Sequence, residues 1–312
     1  MATARGESSL EYMRGHTVVS TSSSATDLRA DVYIGPFLNF EKGGGTFSAT
    51  TSTLISGKSD AVLIDAQHIR SDVDELVQFI ERTGKRLTTI YVTHGHADHW
   101  YGASALLAKF PDARVVTTAP VVDYINQAIE IESQQWATMF GERVAKPTAV
   151  PQALDELTID LEGHELRIIE IGQGDIEPST VVHVPELDAV IAGDVVYNQI
   201  HAMLGLSGPG GWRRWLKSID AIEKLAPKMI VAGHRKHEAS DYDVSRMLEE
   251  TRSYITDFAE GAQNLDSPGE LVSLMKAKYP DFGNRWTLHF SAQSWFSRKQ
   301  AKAQGAGAGS QR

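Results

Sequence analysis

The six residues His94-Gly95-His96-Ala97-Asp98-His99 constrain this chain more than any other stretch. Three imidazoles and a carboxylate follow directly on an apolar, β-branched run from Leu87 to Thr93. In extended backbone, successive side chains alternate faces, so His94 and His96 share one side. The turn that follows carries Asp98 and His99 to a second position a few ångströms away. One strand end can therefore ligate two cations, and the segment reads as a metal site.

The run resembles the signature of the metallo-β-lactamase fold hydrolases. Two further segments agree with that resemblance in order. Ala189 to Asp194 is an apolar run, a glycine and a carboxylate, matching the family's metal-bridging aspartate. Met229 to His234 repeats the grammar with an imidazole, matching the last histidine of the second metal site. The resemblance spans roughly residues 30 to 240. It implies an α/β fold, an αββα four-layer sandwich of two mixed β-sheets flanked by helices. It also implies a metal set of His94, His96, Asp98, His99, Asp194 and His234.

One place departs from the family pattern. Where a third histidine of the first metal site is expected, the chain has Gln173, followed by Gly174 and Asp175. An amide oxygen is a poorer zinc ligand than an imidazole nitrogen. Three arrangements stay open: Gln173 ligates through oxygen, Asp175 or a water replaces the imidazole, or one metal suffices.

Composition agrees with an enzyme of this kind. A chain of 312 residues with 42% hydrophobic content can bury a large core, and one α/β domain is expected over two. The expected division is a polar segment at 1–29, a single hydrolase domain at 30–297 and a flexible tail at 298–312. With no cysteine, disulfides and thiolate ligands are excluded, so all metal donors are nitrogen or oxygen. No apolar leader or membrane-length run is present, which gives a cytoplasmic expectation and no membrane partner. The formal charge of −10 opposes a polyanionic partner, so no nucleic acid is expected. A small-molecule substrate is expected, and a homodimer is allowed.

Hydrophobic periodicity predicts strands over 31–38, 47–55 and 61–65, with turns at 42–45 and 56–60. A helix is expected from Ser71, capped with Asp74 and stopped at Gly84. Helices over 100–110 and 119–140 flank a strand at 114–118, with Pro120 in the first turn of the longer one. Strands over 156–161 and 165–171 form a hairpin, followed by strands at 180–184 and 189–192 and a helix over 212–225. Ser240 with Asp243, and Ser267 with Glu270, cap two later helices. The apolar-run-to-Asp pattern at Val62 to Asp65 and again at Val190 to Asp194 hints at internal duplication.

The chemistry follows from a bound cation. Zinc lowers the pKa of its water to about 7, which provides a hydroxide to attack a carbonyl. One or two Zn²⁺ per chain are expected, with other divalent metals allowed. Asp98 is expected both to ligate and to orient the attacking group, and His201 is a candidate proton donor to the leaving group. Trp100, Tyr197, Met203 and Trp212 are candidate pocket residues, and the segment 197–211 and the helix from Ala119 are candidate walls. Trp286, Phe290, Trp295 and Phe296 are expected to dock the last helix, or else to close the pocket. His16, His68, His164 and His289 are read as surface or structural, His183 as core and His237 as surface.

No serine or cysteine nucleophile motif competes. Nuclease branches of the family have basic exosites that this chain lacks, and oxygen-reducing branches have a glutamate where His96 stands. The expected reaction is opening of a small ester or amide, most often a lactone or lactam. The alternatives are a glyoxalase-like thioesterase, or a degenerate member of the fold that binds metal or ligand without turnover.

Overall fold

Alternation along the central strands sets the architecture. Val62 and Ile64 join one apolar cluster while Leu63 joins another; Ile191 and Val231 face one way, Val190 and Ile230 the other. A strand buried on both faces needs a layer on each side of its sheet. The computed structural model describes residues 8–13, 16–22, 26–39 and 46–309, with side chains at 26–39 and 46–302.

The first half runs through β1 (Ser8–Met13), β2 (His16–Ser22), β3 (Arg29–Ile34), β4 (Leu38–Asn39), β5 (Thr46–Phe47), β6 (Thr51–Ser56), β7 (Asp60–Ile64) and α1 (Arg70–Arg82). There follow β8 (Arg86–Tyr91), α2 (Ala97–Trp100), α3 (Ala103–Lys109), β9 (Arg114–Thr117) and α4 (Ala119–Phe140). The second half comprises β10 (Gln152–Ala153), β11 (Thr158–Leu161), β12 (His164–Gly172), β13 (Ser179–Val184), β14 (Ala189–Asn198), α5 (Pro209–Lys224), β15 (Met229–Arg235), α6 (Val244–Asn264), α7 (Pro268–Lys278) and α8 (Arg285–Gly309).

One sheet has the order β1-β2-β3-β6-β7-β8-β9-β10, antiparallel up to β7 and parallel beyond it. A second has the order β11-β12-β13-β14-β15, with only β14 and β15 parallel, and β4 and β5 pair in a separate two-stranded sheet. Val32, Ile55, Val62 and Ile64 of the first meet Ile168, Val182, Ile191 and Val231 of the second, forming the layer between sheets. The outer face of the first sheet is covered by Val73, Leu76 and Ile80 of α1 and Leu106 of α3. The outer face of the second is covered by α5 to α8, led by Trp212, Trp215, Phe258 and Met275. This is the αββα sandwich of two mixed sheets expected from sequence. Each aliphatic side chain buried in it contributes roughly 1.5–3 kcal/mol.

Several elements differ in detail from their sequence expectations. The strand predicted over 47–55 is split, because β5 pairs with β4 in a separate two-stranded sheet while β6 joins the larger sheet between β3 and β7. The helix predicted over 100–110 is broken into α2 and α3 around Tyr101 and Gly102. Gly102 sits where a Cβ would lie 2.1 Å from the Ala66 carbonyl oxygen, so the chain passes at backbone contact there. α1 begins at Arg70 with Ile69 as its cap residue and no side-chain cap, so the predicted capping by Ser71 and Asp74 is corrected. α6 likewise lacks a side-chain cap at Asp243, whereas Ser267 and Glu270 form the full capping box on α7. The strand predicted over 189–192 continues to Asn198, and the predicted tail from 298 continues α8 as far as Gly309. The predicted turn at 42–45 lies outside the described residues. No helix among the described residues is long and apolar enough to cross a membrane.

Candidate metal centre

Two isolated bridges, Thr50 to His234 and His94 to Ser179, join the sheets at one end of the sandwich. The site is built there. β8 stops at Tyr91, leaving His94 and His96 on irregular backbone, and Asp98 and His99 on the single turn of α2. Asp194 lies within β14, where the register shifts around Gly193, and His234 is the penultimate residue of β15. Gly193 has φ +47°, and a Cβ there would meet Thr93 Oγ1 at 2.7 Å. At Gly233 a Cβ would lie 2.2 Å from Asp194 Oδ1. Both glycines are required by close approach.

These strand ends bring together two groups whose potential ligand atoms lie within 4.8 Å of one another: His94, His96, Asp175 and Asp194; and Asp98, His99 and His234. The groups adjoin through Asp194, whose Oδ1 is 3.2 Å from His99 Nε2 and whose Oδ2 is 3.3 Å from His234 Nε2. Asp98 Oδ2 lies 3.2 Å from His234 Nε2. Three rings are tied outward by their other nitrogen: His99 Nδ1 to Asp65 Oδ2 at 2.7 Å, His234 Nδ1 to Ser48 Oγ at 2.9 Å and His94 Nδ1 to Thr93 Oγ1 at 3.0 Å. Such outer bonds fix ring orientation and aim the remaining nitrogen inward. His94 Nε2, His99 Nε2 and Asp194 Oδ1 are buried and have no hydrogen-bond partner. Orphaned donors of this kind, on imidazoles and carboxylates facing one point, fit divalent cations.

Electrostatics mark the same cluster. Burial, followed by the neighbouring His99, drives the His94 imidazole well below its ordinary pKa. Burial opposes charge on His96 too, but Asp175 outweighs it and lifts His96 to about 9. Burial would raise Asp98 and Asp194, yet His99 and His234 hold both well below the usual carboxylate range. Asp175 moves the other way: burial raises it, and His96 only partly compensates. Burial and then Asp194 push the Tyr197 phenol far up, so it stays a proton donor, and its hydroxyl donates to Asp194 Oδ2 at 2.7 Å.

The cluster floors a cavity of about 1280 Å³. α4 supplies one wall through Tyr124, Glu132, Trp136 and Met139; the loop after β14 supplies Met203, Leu206 and Ser207; α8 supplies Trp286 and Phe290. Tyr197 and Met203 line this cavity. Trp100, Trp212 and His201 do not. Trp100 is buried with its indole N–H on the Gly95 carbonyl, and Trp212 is buried with its own on the Leu204 carbonyl. His201 is fully buried with Nδ1 beside the Tyr254 hydroxyl and is absent from the cavity wall, so the proton-donor role is withdrawn. Nearness in sequence to the metal run suggests Trp100, and nearness to Asp194 suggests His201, but nearness along the chain does not say which side chains turn to the cavity and which to the core. Trp286 and Phe290 line the cavity, while Trp295 and Phe296 pack on the core beneath, splitting a group that the sequence treats alike.

Gln173 stands at the cavity wall. Its Oε1 accepts from Arg214 Nη2 at 3.0 Å and its Nε2 donates to the Gly174 carbonyl. Asp175 lies beside His96 and His94 in the first group. In the sequence Asp65 is only half of a repeated pattern; the structure gives it a role in holding His99 and Thr93. Glu132 and Tyr124, hydrogen-bonded to each other at 3.2 Å, give no sequence signal beyond lying on a predicted helix.

Fold and site together define a two-sheet protein with a divalent-metal centre at the sheet ends. A sequence profile of the metallo-beta-lactamase superfamily matches residues 45–234, more than half of the chain. The chain belongs to the metallo-beta-lactamase superfamily of metal-dependent hydrolases. Among solved structures it is similar to a metallo-beta-lactamase family protein from Thermus thermophilus, with TM-score 0.58 and 20% identity, covering 82% of this chain and 89% of that one. It is also similar to a metallo-beta-lactamase from Pontibacter korlensis, with TM-score 0.55 and 19% identity over 80% of this chain and 99% of that one. Among curated proteins it is similar to the hydroxyacylglutathione hydrolases of Haemophilus ducreyi, 32% identical over 60 residues, and Francisella tularensis subsp. novicida, 39% identical over 62 residues. Those matches cover 19% and 20% of this chain, and the chain spans only 26% and 23% of the two relatives' lengths.

Proposed function

We propose that this hydrolase opens a small, uncharged cyclic ester, with lactams as the next class. The carrying observation is the placement of two His/Asp groups, adjoining at Asp194, at the floor of a roomy cavity whose wall includes Phe47, Tyr124, Trp136, Trp286 and Phe290. His94, His96, Asp98, His99, Asp194 and His234 are assigned to hold the ions. When bound, divalent ions supply acidified water and Lewis acidity near neutral pH.

The chain's own groups then orient the reaction. Asp98 accepts a hydrogen bond from the attacking water, and the Tyr197 hydroxyl, which donates its one proton to Asp194 Oδ2, holds that carboxylate in place. Trp136, Met139, Trp286 and Phe290 exclude water from the remainder of the substrate.

Charge on the wall favours a neutral substrate. Arg214 is the one lysine or arginine lining the cavity among the described residues, and it is engaged by Gln173 and Glu177. Glu132 and Glu177 add negative charge. A polyanionic thiol carrier meets little there to bind it. Thioester hydrolysis remains the second reading because of the similarity to hydroxyacylglutathione hydrolases.

The test is a panel of lactones, β-lactams and thioesters assayed with metal-analysed protein. Lactone turnover that is abolished by exhaustive chelation and restored by a divalent ion is expected. Turnover that survives chelation, or hydrolysis confined to anionic thioesters, overturns the proposal.

A further inference from the structure

Gln173 and Asp175 lie two residues apart, yet their side chains go to different neighbours. Gln173 is occupied by Arg214 and the Gly174 carbonyl. Asp175 is buried, with Oδ2 2.8 Å from His96 Nδ1 and Oδ1 3.8 Å from His94 Nε2. The loop reaches this position because its glycines allow it. Gly172 has φ +90° where the β12–β13 register shifts, and a Cβ on Gly174 would lie 3.1 Å from the Asp194 carbonyl oxygen.

From this geometry we propose that Asp175 is a ligand of the first cation, in place of the imidazole that the Gln173 position lacks. The proposal rests on the metal-dependent reading above. Each cation position then has two imidazoles and one carboxylate of its own, His94, His96 and Asp175 on one side and His99, His234 and Asp98 on the other. Asp194 lies between them.

Two further observations agree. A buried carboxylate needs a compensating charge, and no lysine or arginine forms an ion pair with Asp175 among the described residues; its ion-pair neighbours are imidazoles. Arg214, the nearby guanidinium on the wall, is directed to Glu177 and Gln173 instead. The three carboxylates of the two groups also offset most of the charge of two divalent ions, which a neutral amide at position 173 does not add to. A shell this rich in oxygen favours a harder cation than three imidazoles do, so manganese or iron(II) competes with zinc at the first position.

The absence of cysteine from the chain permits a direct test on the full-length protein. In cobalt(II)-loaded Asp175→Cys, a sulfur-to-cobalt charge-transfer band is expected, and in Gln173→Cys none. Asp175→Asn, nearly the same shape, is expected to retain about one ion per chain after dialysis where the wild type retains two, and Gln173→Ala to retain two. Asp175→His is expected to shift uptake from an equimolar zinc and manganese mixture about tenfold toward zinc. A thiolate band at position 173 and not 175, or two tightly held ions in Asp175→Asn, overturns the assignment. These readouts involve no substrate, so a protein that loads two ions as described yet opens no lactone refutes the proposed activity and leaves the ligand assignment standing.

Discussion

Asp65 shows how one residue outside the metal groups controls the site. Its carboxylate takes the Thr93 N–H, the Thr93 hydroxyl and His99 Nδ1, which fixes the His99 ring with Nε2 facing Asp98 and Asp194. Asp65→Asn is therefore expected to weaken metal binding roughly 10–100-fold, read by competition with a chromogenic chelator. Tyr197→Phe removes the hydroxyl that donates to Asp194 Oδ2 and is expected to weaken metal binding about 10–100-fold, read by the same competition.

A third residue-scale prediction concerns stability. Burial pushes the Asp72 carboxyl up to about 6, with the Ser71 hydroxyl opposing. The folded state thus holds this proton more tightly than the unfolded chain does. Its contribution is complete below about pH 4 and is lost as pH rises through about 6. Asp72→Asn is expected to flatten that decline and to raise neutral-pH stability by on the order of 1–3 kcal/mol, measured by urea unfolding at pH 4 and pH 7.5.

Among the elements, β14 does most to assemble the site. Had it ended at Ala192, as its apolar run suggests, Asp194 would sit on a mobile tip. Instead the strand continues to Asn198, pairing Tyr197 with His234 across the irregularity at Gly193. Gly233→Ala introduces a methyl group into Asp194 and is expected to lower both Tm and metal content, whereas an alanine at Gly269, which has open space around it, leaves metal content unchanged. α4 is where sequence and structure agree to the residue: the 119–140 expectation is the observed helix, with Pro120 in its first turn. Its long apolar periodicity and its proline are local signals. That Glu132 and Tyr124 face the cavity is not local, because it depends on where the helix lies over the sandwich.

For the whole molecule, the two-sheet core carries the scaffold, and the metal centre sits at its open end. Several imidazoles and three carboxylates buried together without cations leave unpaired polar atoms. Metal that binds only the folded state stabilises it by mass action. Chelation is expected to lower Tm reversibly, and readdition of the divalent ion to restore it, measured by differential scanning calorimetry.

The sequence by itself determined the fold class and singled out six residues that the fold gathers at one end of the sandwich, because those residues stand in short apolar-run-to-ligand patterns whose meaning is local. It left Gln173 and Asp175 undecided, and it placed His201, Trp100 and Trp212 at the site when they belong to the core. Those questions turn on which of two adjacent faces meets a cavity built from distant segments. A periodicity of two or 3.6 residues defines faces but not their surroundings. Only the packing of one sheet against the other, with a loop pressed against β14 at Gly174, brings Asp175 to His94 and His96 and leaves Gln173 to Arg214.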